Sequence, residues 1–191
     1  MNIVKDHIFP NNNLGNSQIE AIVSEASGSS IDLSDIYIQY TTVESWTCED
    51  GIVKNGSQHI DSGYGIRAIS HEKTGFSYGN NFDFDEIIKA ARLSKSIVRS
   101  DGPKRINLKE NNSFKKLYIS ESPLTSITDE EKVNFLRELD NYIKNKDKRV
   151  QQVIINLSSS HDSIFVANSM GTYSFDDRPL VRFNVMVILK S

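Results

Sequence analysis

The chain has 191 residues, with 22 basic and 25 acidic side chains, a net charge of −3, 38% hydrophobic residues and 25% charged ones. It contains no run of about 18 apolar residues that would make a membrane-spanning helix, and Met1 to Pro10 lacks the basic and apolar regions of a secretion signal. The mild acidic balance argues against a chain built to coat nucleic acid.

Residues 1–13 are polar and read as a flexible N-terminus. Leu14, Ile19, Ile22, Val23 and Ala26 recur at helical spacing ahead of Gly28, so a helix is expected over about 15–26. From Asp35 the period falls to two: Ile36, Ile38 and Tyr40 alternate with Tyr37, Gln39 and Thr41. Glu49-Asp50-Gly51 is a hairpin signal, because Asp-Gly supplies the positive φ angles of a tight primed turn. Asn55-Gly56 reads as a second turn or bulge, Tyr64 to Ser70 as a strand, His71 to Thr74 as a turn and Gly75 to Tyr78 as a further strand. Together they predict a meander of short antiparallel strands.

Asp83 or Asp85 offers a cap for a helix striped with Ile87, Ile88, Ala91 and Ile97. That helix runs to about Arg99 and is closed by Asp101-Gly102-Pro103. The polar stretch 101–113 is the expected linker. Beyond it, Leu117-Tyr118-Ile119 reads as a short strand. Thr128 and Glu131 form a capping box, and Val133, Leu136, Leu139 and Ile143 give the face of the helix that follows. Val150 to Ser158, Ser163 to Ala167 and Val181 to Leu189 read as strands, punctuated by Asn168 to Gly171 and Asp176 to Pro179. The expected class is α+β: an antiparallel β meander with flanking helices, followed by a second module of βαβββ type.

The residues that carry chemistry do not assemble into a site on spacing alone. His71-Glu72 is half of a zinc-protease signature, but positions 75 and 76 are Gly and Phe, and the pair falls in a turn rather than on a helix. Gly63-Tyr64-Gly65 has the letters of a dinucleotide fingerprint, yet strand alternation follows where a helix is required. His7, His59, His71 and His161 share no metal-ligand spacing and read as exposed strand or loop residues. The single cysteine, Cys48, excludes an internal disulfide and a Cys-rich knuckle, and the absence of disulfides favours the cytoplasm. It has no nearby base or helix N-terminus to activate it. Trp46 reads as core or cross-strand packing. The basic runs Lys104-Arg105 and Lys144 to Arg149 read as a solvated linker and helix end. No catalytic, cofactor-binding or metal-binding residue is assigned, and the residues alone describe an α+β binding or scaffold module.

A set of ordered segments then becomes informative: Glu44-Ser45-Trp46, Glu49 to Lys54, Gly56-Ser57, His59 to Gly63, Gly65 to Ile69 and Glu72 to Phe76. It continues through Ser122-Pro123-Leu124, Glu130-Glu131-Lys132, Asp147 to Gln151 and Asp177 to Arg182. From about residue 14 to the last residue, the sequence resembles the N-terminal portion of the TldD/PmbA (TldE) zinc metalloprotease family, its TldD branch in particular. The resemblance implies a TldD-like N-terminal α+β domain over 14–100, the linker 101–113, and the start of a middle α+β domain over 114–191 that breaks off.

It further implies a cytoplasmic metallopeptidase subunit (a zinc-dependent hydrolase) that works with a PmbA-like partner on peptides or unstructured proteins. Family roles include maturation of a peptide antibiotic, antitoxin degradation and a link to DNA gyrase. The family's His-Glu-x-x-x-His helix and later Cys belong to the C-terminal half, and Cys48 does not match that Cys. Zinc is therefore expected in the full-length family and not on this chain, which is expected to be inactive alone. The expected partners are a PmbA-like subunit or a second copy, with peptide as substrate of the full-length enzyme, and neither nucleic acid nor membrane. The other reading is a non-catalytic binding or dimerisation module, or the remnant of a degraded gene; a shortened chain and a split gene fit the same pattern.

Overall fold

Alternation of side chains from Leu33 onward puts every second residue on one face, and the chain stays extended until Asp50 and Gly51 reverse it. The computed structural model describes residues 2–98, 105–109 and 121–190. Strand β1 (Leu33–Glu49) leads into β2 (Ile52–Ser70), and β2 into β3 (Lys73–Gly79). Asp50 and Gly51 sit at φ 51° and 77°, the left-handed pair that a primed hairpin turn demands. His71 makes the next reversal at φ 54°, held there by its N–H donating to Asp32 Oδ2 at 2.6 Å.

Strands β4 (Val150–Asn168) and β5 (Tyr173–Leu189) complete one sheet of order β3-β2-β1-β4-β5. The helices are a π-helical turn Val4–Ile8 running into α1 (Phe9–Asn11), then α2 (Asn16–Ala26), α3 (Phe84–Val98) and α4 (Asp129–Lys146). This is an antiparallel α+β fold. No helix among the described residues is long and apolar enough to cross a membrane.

The strands are longer than the sequence signals imply. Asn55-Gly56 lies within β2 rather than at a turn, because a neighbour needs the glycine there: a Cβ on Gly56 would come within 2.7 Å of the Trp46 ring. The two expected segments at 150–158 and 163–167 are one strand, β4. Asp176 to Pro179 does not interrupt β5. Pro179 is tolerated because β5 is an edge strand, where a missing N–H breaks no ladder. The expected strand 117–119 and the helix stop at 101–103 lie outside the described residues.

The chain divides into two units, each assembled from separate stretches: 1–40, 61–119 and 163–177 in one, 41–60, 120–162 and 178–191 in the other. In the first unit, α2 buries Ile19, Ile22, Val23 and Ala26, the stripe its sequence predicts, against Ile36, Ile38, Ile66, Ile87 and Ala91. Each isoleucine or valine among them contributes roughly 1.5–3 kcal/mol on burial.

The polar N-terminus nevertheless packs into the first unit. Val4 is fully buried, and the Phe9 ring stands edge-on to Phe165 at 4.8 Å and to Phe175 at 5.4 Å. Asn2 Nδ2 donates to Asp176 O at 2.9 Å and to Asp177 Oδ1 at 3.1 Å. Three apolar residues spaced at Val4, Ile8 and Phe9 suffice to anchor a short helix when an aromatic cluster receives them.

Gly75 sets how closely α3 lies on β3, since a Cβ there would collide with the Ser94 carbonyl oxygen. Backbone cannot yield as a side-chain tip can. Gly75→Ala is therefore expected to destabilise the chain by roughly 1–3 kcal/mol, read as a lower urea midpoint at unchanged slope. A midpoint equal to that of the parent would show that α3 moves aside freely.

Candidate functional site

In the second unit, α4 packs along β1, and the chemistry of that face alternates. The helix begins at the capping box read from the sequence: Glu131 N–H donates to Thr128 Oγ1 at 3.2 Å, and Thr128 N–H donates to Glu131 Oε2 at 2.7 Å. The backbone hydrogen bond holds the Glu131 carboxyl below its ordinary pKa. With the start fixed, Lys132, Leu136 and Asp140 fall one helical turn apart on one face. These three are the buried residues of α4, and two of them are charged.

Lys132 has a side chain only 1% exposed. Its Nζ donates to Glu44 Oε2 at 2.8 Å, to Leu124 O at 2.8 Å and to Asp129 Oδ1 at 3.2 Å, which uses all three protons. Burial pulls its pKa down, but the hydrogen bonds and charges of Glu44 and Asp129 outweigh that and raise it. The same Nζ lies 6.0 Å from the centre of the Trp46 ring. Beyond it, Leu136 meets Cys48, Val153, Ile155 and Leu157 in the apolar middle of the face.

At the far end, Lys144 Nζ bridges Asp50 Oδ1 at 2.9 Å and Asp140 Oδ2 at 3.2 Å. The hydrogen bond to Asp50 raises the Lys144 pKa, and its counterpart lowers that of Asp50. Asp50 Oδ1 also accepts from Val153 N–H at 3.3 Å. Burial pushes the Cys48 thiol up, and the Asp140 charge pushes it further, so Cys48 is a packed neutral thiol rather than a nucleophile. Glu44 Oε1, Trp46 Nε1 and Asp140 Oδ1 are buried without a hydrogen-bond partner. The polar network of this face is therefore only part-made.

The rest of the chemistry stays apart. His7, His59 and His71 are exposed, while His161 is buried, against the expectation that it lay on an exposed strand or loop. Gly63 to Ala68 is strand, with no helix to receive a pyrophosphate. His71 sits in the turn before β3. In the second basic run, Lys144 is held as above and Arg149 pairs with Asp147 at 2.7 Å. Two of the four basic side chains of the run are thus paired with carboxylates; of the first run, Lys104 lies outside the described residues. No group of three His, Cys, Asp or Glu among the described residues converges as metal ligands would. A zinc ion needs three such donors and an open position, so these residues do not fit one.

The sequence reading missed Glu44 and Lys132 because they are 88 residues apart. A lysine on the sheet-facing side of a helix was the one available signal.

The other feature of this unit is the outer part of β5. Leu180, Val181, Phe183, Val185, Met186, Val187, Ile188 and Leu189 are all at least 40% exposed on an edge strand. The Phe183 ring lies 5.9 Å, centre to centre, from that of Phe135 of α4.

Comparison with known proteins gives concordant results. Residues 34–98 match the family model described as PmbA/TldA metallopeptidase domain 1, and residues 122–191 match that of the PmbA/TldA metallopeptidase central domain. The chain is 35% identical over 192 residues to a metalloprotease TldD homologue of Buchnera aphidicola subspecies Schizaphis graminum, covering 100% of this chain and 39% of that protein. It is 34% identical over 195 residues to the metalloprotease TldD homologue of Haemophilus influenzae, covering 100% of this chain and 40% of the relative.

Among solved structures, its fold is similar to a putative modulator of DNA gyrase from Bacteroides thetaiotaomicron, with TM-score 0.69 and 11% identity over 91% of this chain and 41% of that one. It is also similar to TldE from Thermococcus kodakarensis, with TM-score 0.66 and 15% identity over 91% and 40% of the two chains. The chain thus spans about 40% of the length of the curated relatives it matches.

Two outcomes follow from the geometry. Lys132→Met leaves Glu44 as an uncompensated buried charge and is expected to cost about 3–5 kcal/mol, whereas Lys132→Met with Glu44→Leu recovers most of it. Urea unfolding followed by Trp46, the sole tryptophan, measures both, and a single variant as stable as the parent would show that the pair holds nothing. The second outcome concerns acid. Asp50 is held below its ordinary value of 3.8, so its stabilising contribution is present above that value and is lost as pH falls through the lower folded-state pKa. Hydrogen-exchange protection of the Val153 amide should drop below about pH 4 and should lose that dependence in Asp50→Asn.

Proposed function

Because the chain belongs to the PmbA/TldA metallopeptidase family, we propose that it is the N-terminal portion of a TldD-like zinc metalloprotease subunit and carries no zinc site of its own. The observation behind this reading is the order of the matches. Domain 1 falls on residues 34–98 and the central domain on 122–191, while the donor side chains of these residues do not converge.

The full-length protein would hydrolyse peptides or unstructured proteins in the cytoplasm beside a PmbA-like partner. Zinc would supply the activated water and polarise the scissile carbonyl. This chain would contribute to folding and pairing rather than to the bond-breaking step. The proposed division of the chain is a domain over 14–100, a linker over 101–113 and a second module over 114–191.

Zinc analysis of the purified 191-residue chain, dialysed against buffer with a trace of zinc, tests the reading. The expected result is well under one zinc per chain and no peptidase activity on an unstructured casein substrate. One tightly bound zinc per chain would overturn it.

A second reading, a binding module without catalysis, is favoured by one observation: the exposed apolar edge of β5. In that case, mixing the chain with a PmbA-like polypeptide should give a complex by size-exclusion chromatography at micromolar concentrations. Its absence would count against this reading alone.

A further inference from the structure

The polar composition of 101–113 suggests a solvated connection, but residues 105–109 are docked. Arg105, Asn107 and Lys109 are exposed, while Ile106 and Leu108 between them are buried. That alternation marks an extended chain. Ile106 and Leu108 belong to the same apolar cluster as Ile19, Ile22, Val23 and Ala26 of α2. The segment lies outside the sheet, and side chains of a helix satisfy its amides instead. Ile106 N–H donates to Ser24 Oγ at 3.1 Å, and Leu108 N–H donates to Glu20 Oε1 at 2.9 Å.

The two spacings agree. Two residues of extended chain advance about 6.6 Å, and four residues of α-helix advance about 6 Å. Glu20 and Ser24, one helical turn apart on α2, therefore meet alternate amides of a chain that runs antiparallel to the helix. Side chains and N–H groups both repeat every second residue, so the two bonds and the two apolar contacts form together. A slip of one residue would turn Asn107 inward and Ile106 and Leu108 outward. Neither side of this contact falls in a matched domain: α2 ends at Ala26, ahead of residue 34, and 105–109 lies between residues 98 and 122.

We infer that residues 105–109 are a strap: a built-in extended peptide that docks on α2 and releases from it as one unit, while the rest of the first unit stays folded. Release is local because little holds the segment. Two buried side chains and two side-chain-to-amide bonds fasten five residues, and the conformational entropy of ordering those residues offsets most of what the contacts return. The opening therefore belongs to the low-stability end of the structure. Release is concerted because Ile106 and Leu108 are separated by one exposed residue and seated on one rigid helix. Lifting Leu108 from Glu20 admits water beside Ile106 and leaves the Ser24 bond alone to hold the segment. Docked, the strap fixes the connecting chain to α2; released, it frees five residues of it.

Hydrogen exchange of the full 191-residue chain, followed amide by amide by NMR, tests this. The Ile106 and Leu108 amides should be protected to the same degree, and about tenfold or more below the amide of Ile22 inside α2. Glu20→Ala removes the acceptor of Leu108 alone. It should nevertheless lower the protection of both amides about tenfold, with Ile22 and the urea midpoint as in the parent. Ser24→Ala should do the same from the other end, and Glu20→Gln, which keeps an acceptor oxygen, should retain most of the protection. Tryptic cleavage after Arg105 should quicken in Glu20→Ala by the same factor, because cleavage follows the open population when opening and closing are fast. An Ile106 amide untouched by Glu20→Ala would reveal two separate contacts and overturn the inference. So would Ile106 and Leu108 amides that lack protection, or that are as protected as Ile22 and open only with the whole chain.

Discussion

The second unit depends on one buried ammonium group. Lys132 has left water almost completely, and an ion that does so loses several kcal/mol of solvation even after the protein relaxes. Three acceptors recover that loss: Glu44 on β1, Leu124 on the segment leading into α4, and Asp129 in the first turn. These acceptors come from three separate places in the chain. Satisfying Lys132 therefore fixes the rotation of α4, its position along β1 and the path of residues 121–128 together. An apolar contact such as Leu136 with Cys48 tolerates a slide along the strand far better, since hydrophobic burial is non-directional. Register here is set by charge, and adhesion by the few apolar side chains between the two ionic ends.

The first unit solves the same problem differently. Its main hydrophobic cluster runs from Val4 to Tyr173, and the seat of α3 on β3 comes from shape. The α3 helix can approach β3 only where Gly75 leaves room beneath the Ser94 carbonyl. Ser77 Oγ, next on the same face, donates to the Ala90 carbonyl at 2.6 Å. The N-terminal turn enters through aromatic packing, with Phe9, Phe165, Tyr173 and Phe175 meeting edge to face.

This contrast explains what could be read in the sequence. The stripe of α2, the Asp50-Gly51 turn and the Thr128–Glu131 box are local: their causes lie within a few residues, and they appear where the pattern placed them. Asn55-Gly56 misleads because the same dipeptide serves two causes. A turn needs its positive φ, whereas β2 uses Gly56 only for the missing Cβ under Trp46. Strand length was legible only in part, since polar residues such as those from Lys54 to His59 are exposed and give no alternation to read. The helical face was read as Val133, Leu136, Leu139 and Ile143. The buried line is instead Lys132, Leu136 and Asp140, because a rule that seeks apolar residues steps past a lysine whose acceptor is 88 residues away. The family resemblance, by contrast, was fully legible, since it rests on residue order and not on contacts.

The same distinction bears on chemistry. A hydrolytic zinc site needs donors brought together by long-range structure, and here long-range structure spends its ionisable groups on one another. Glu44 and Asp129 hold Lys132, Asp140 and Asp50 hold Lys144, Asp35 meets Arg67, and Glu25 meets Arg92. Carboxylates paired with ammonium or guanidinium groups are poor metal ligands until those cations leave. Cys48 is buried and pushed toward its neutral form, although a thiol ligates only as thiolate. The groups of these modules are thus committed to holding strands and helices in register.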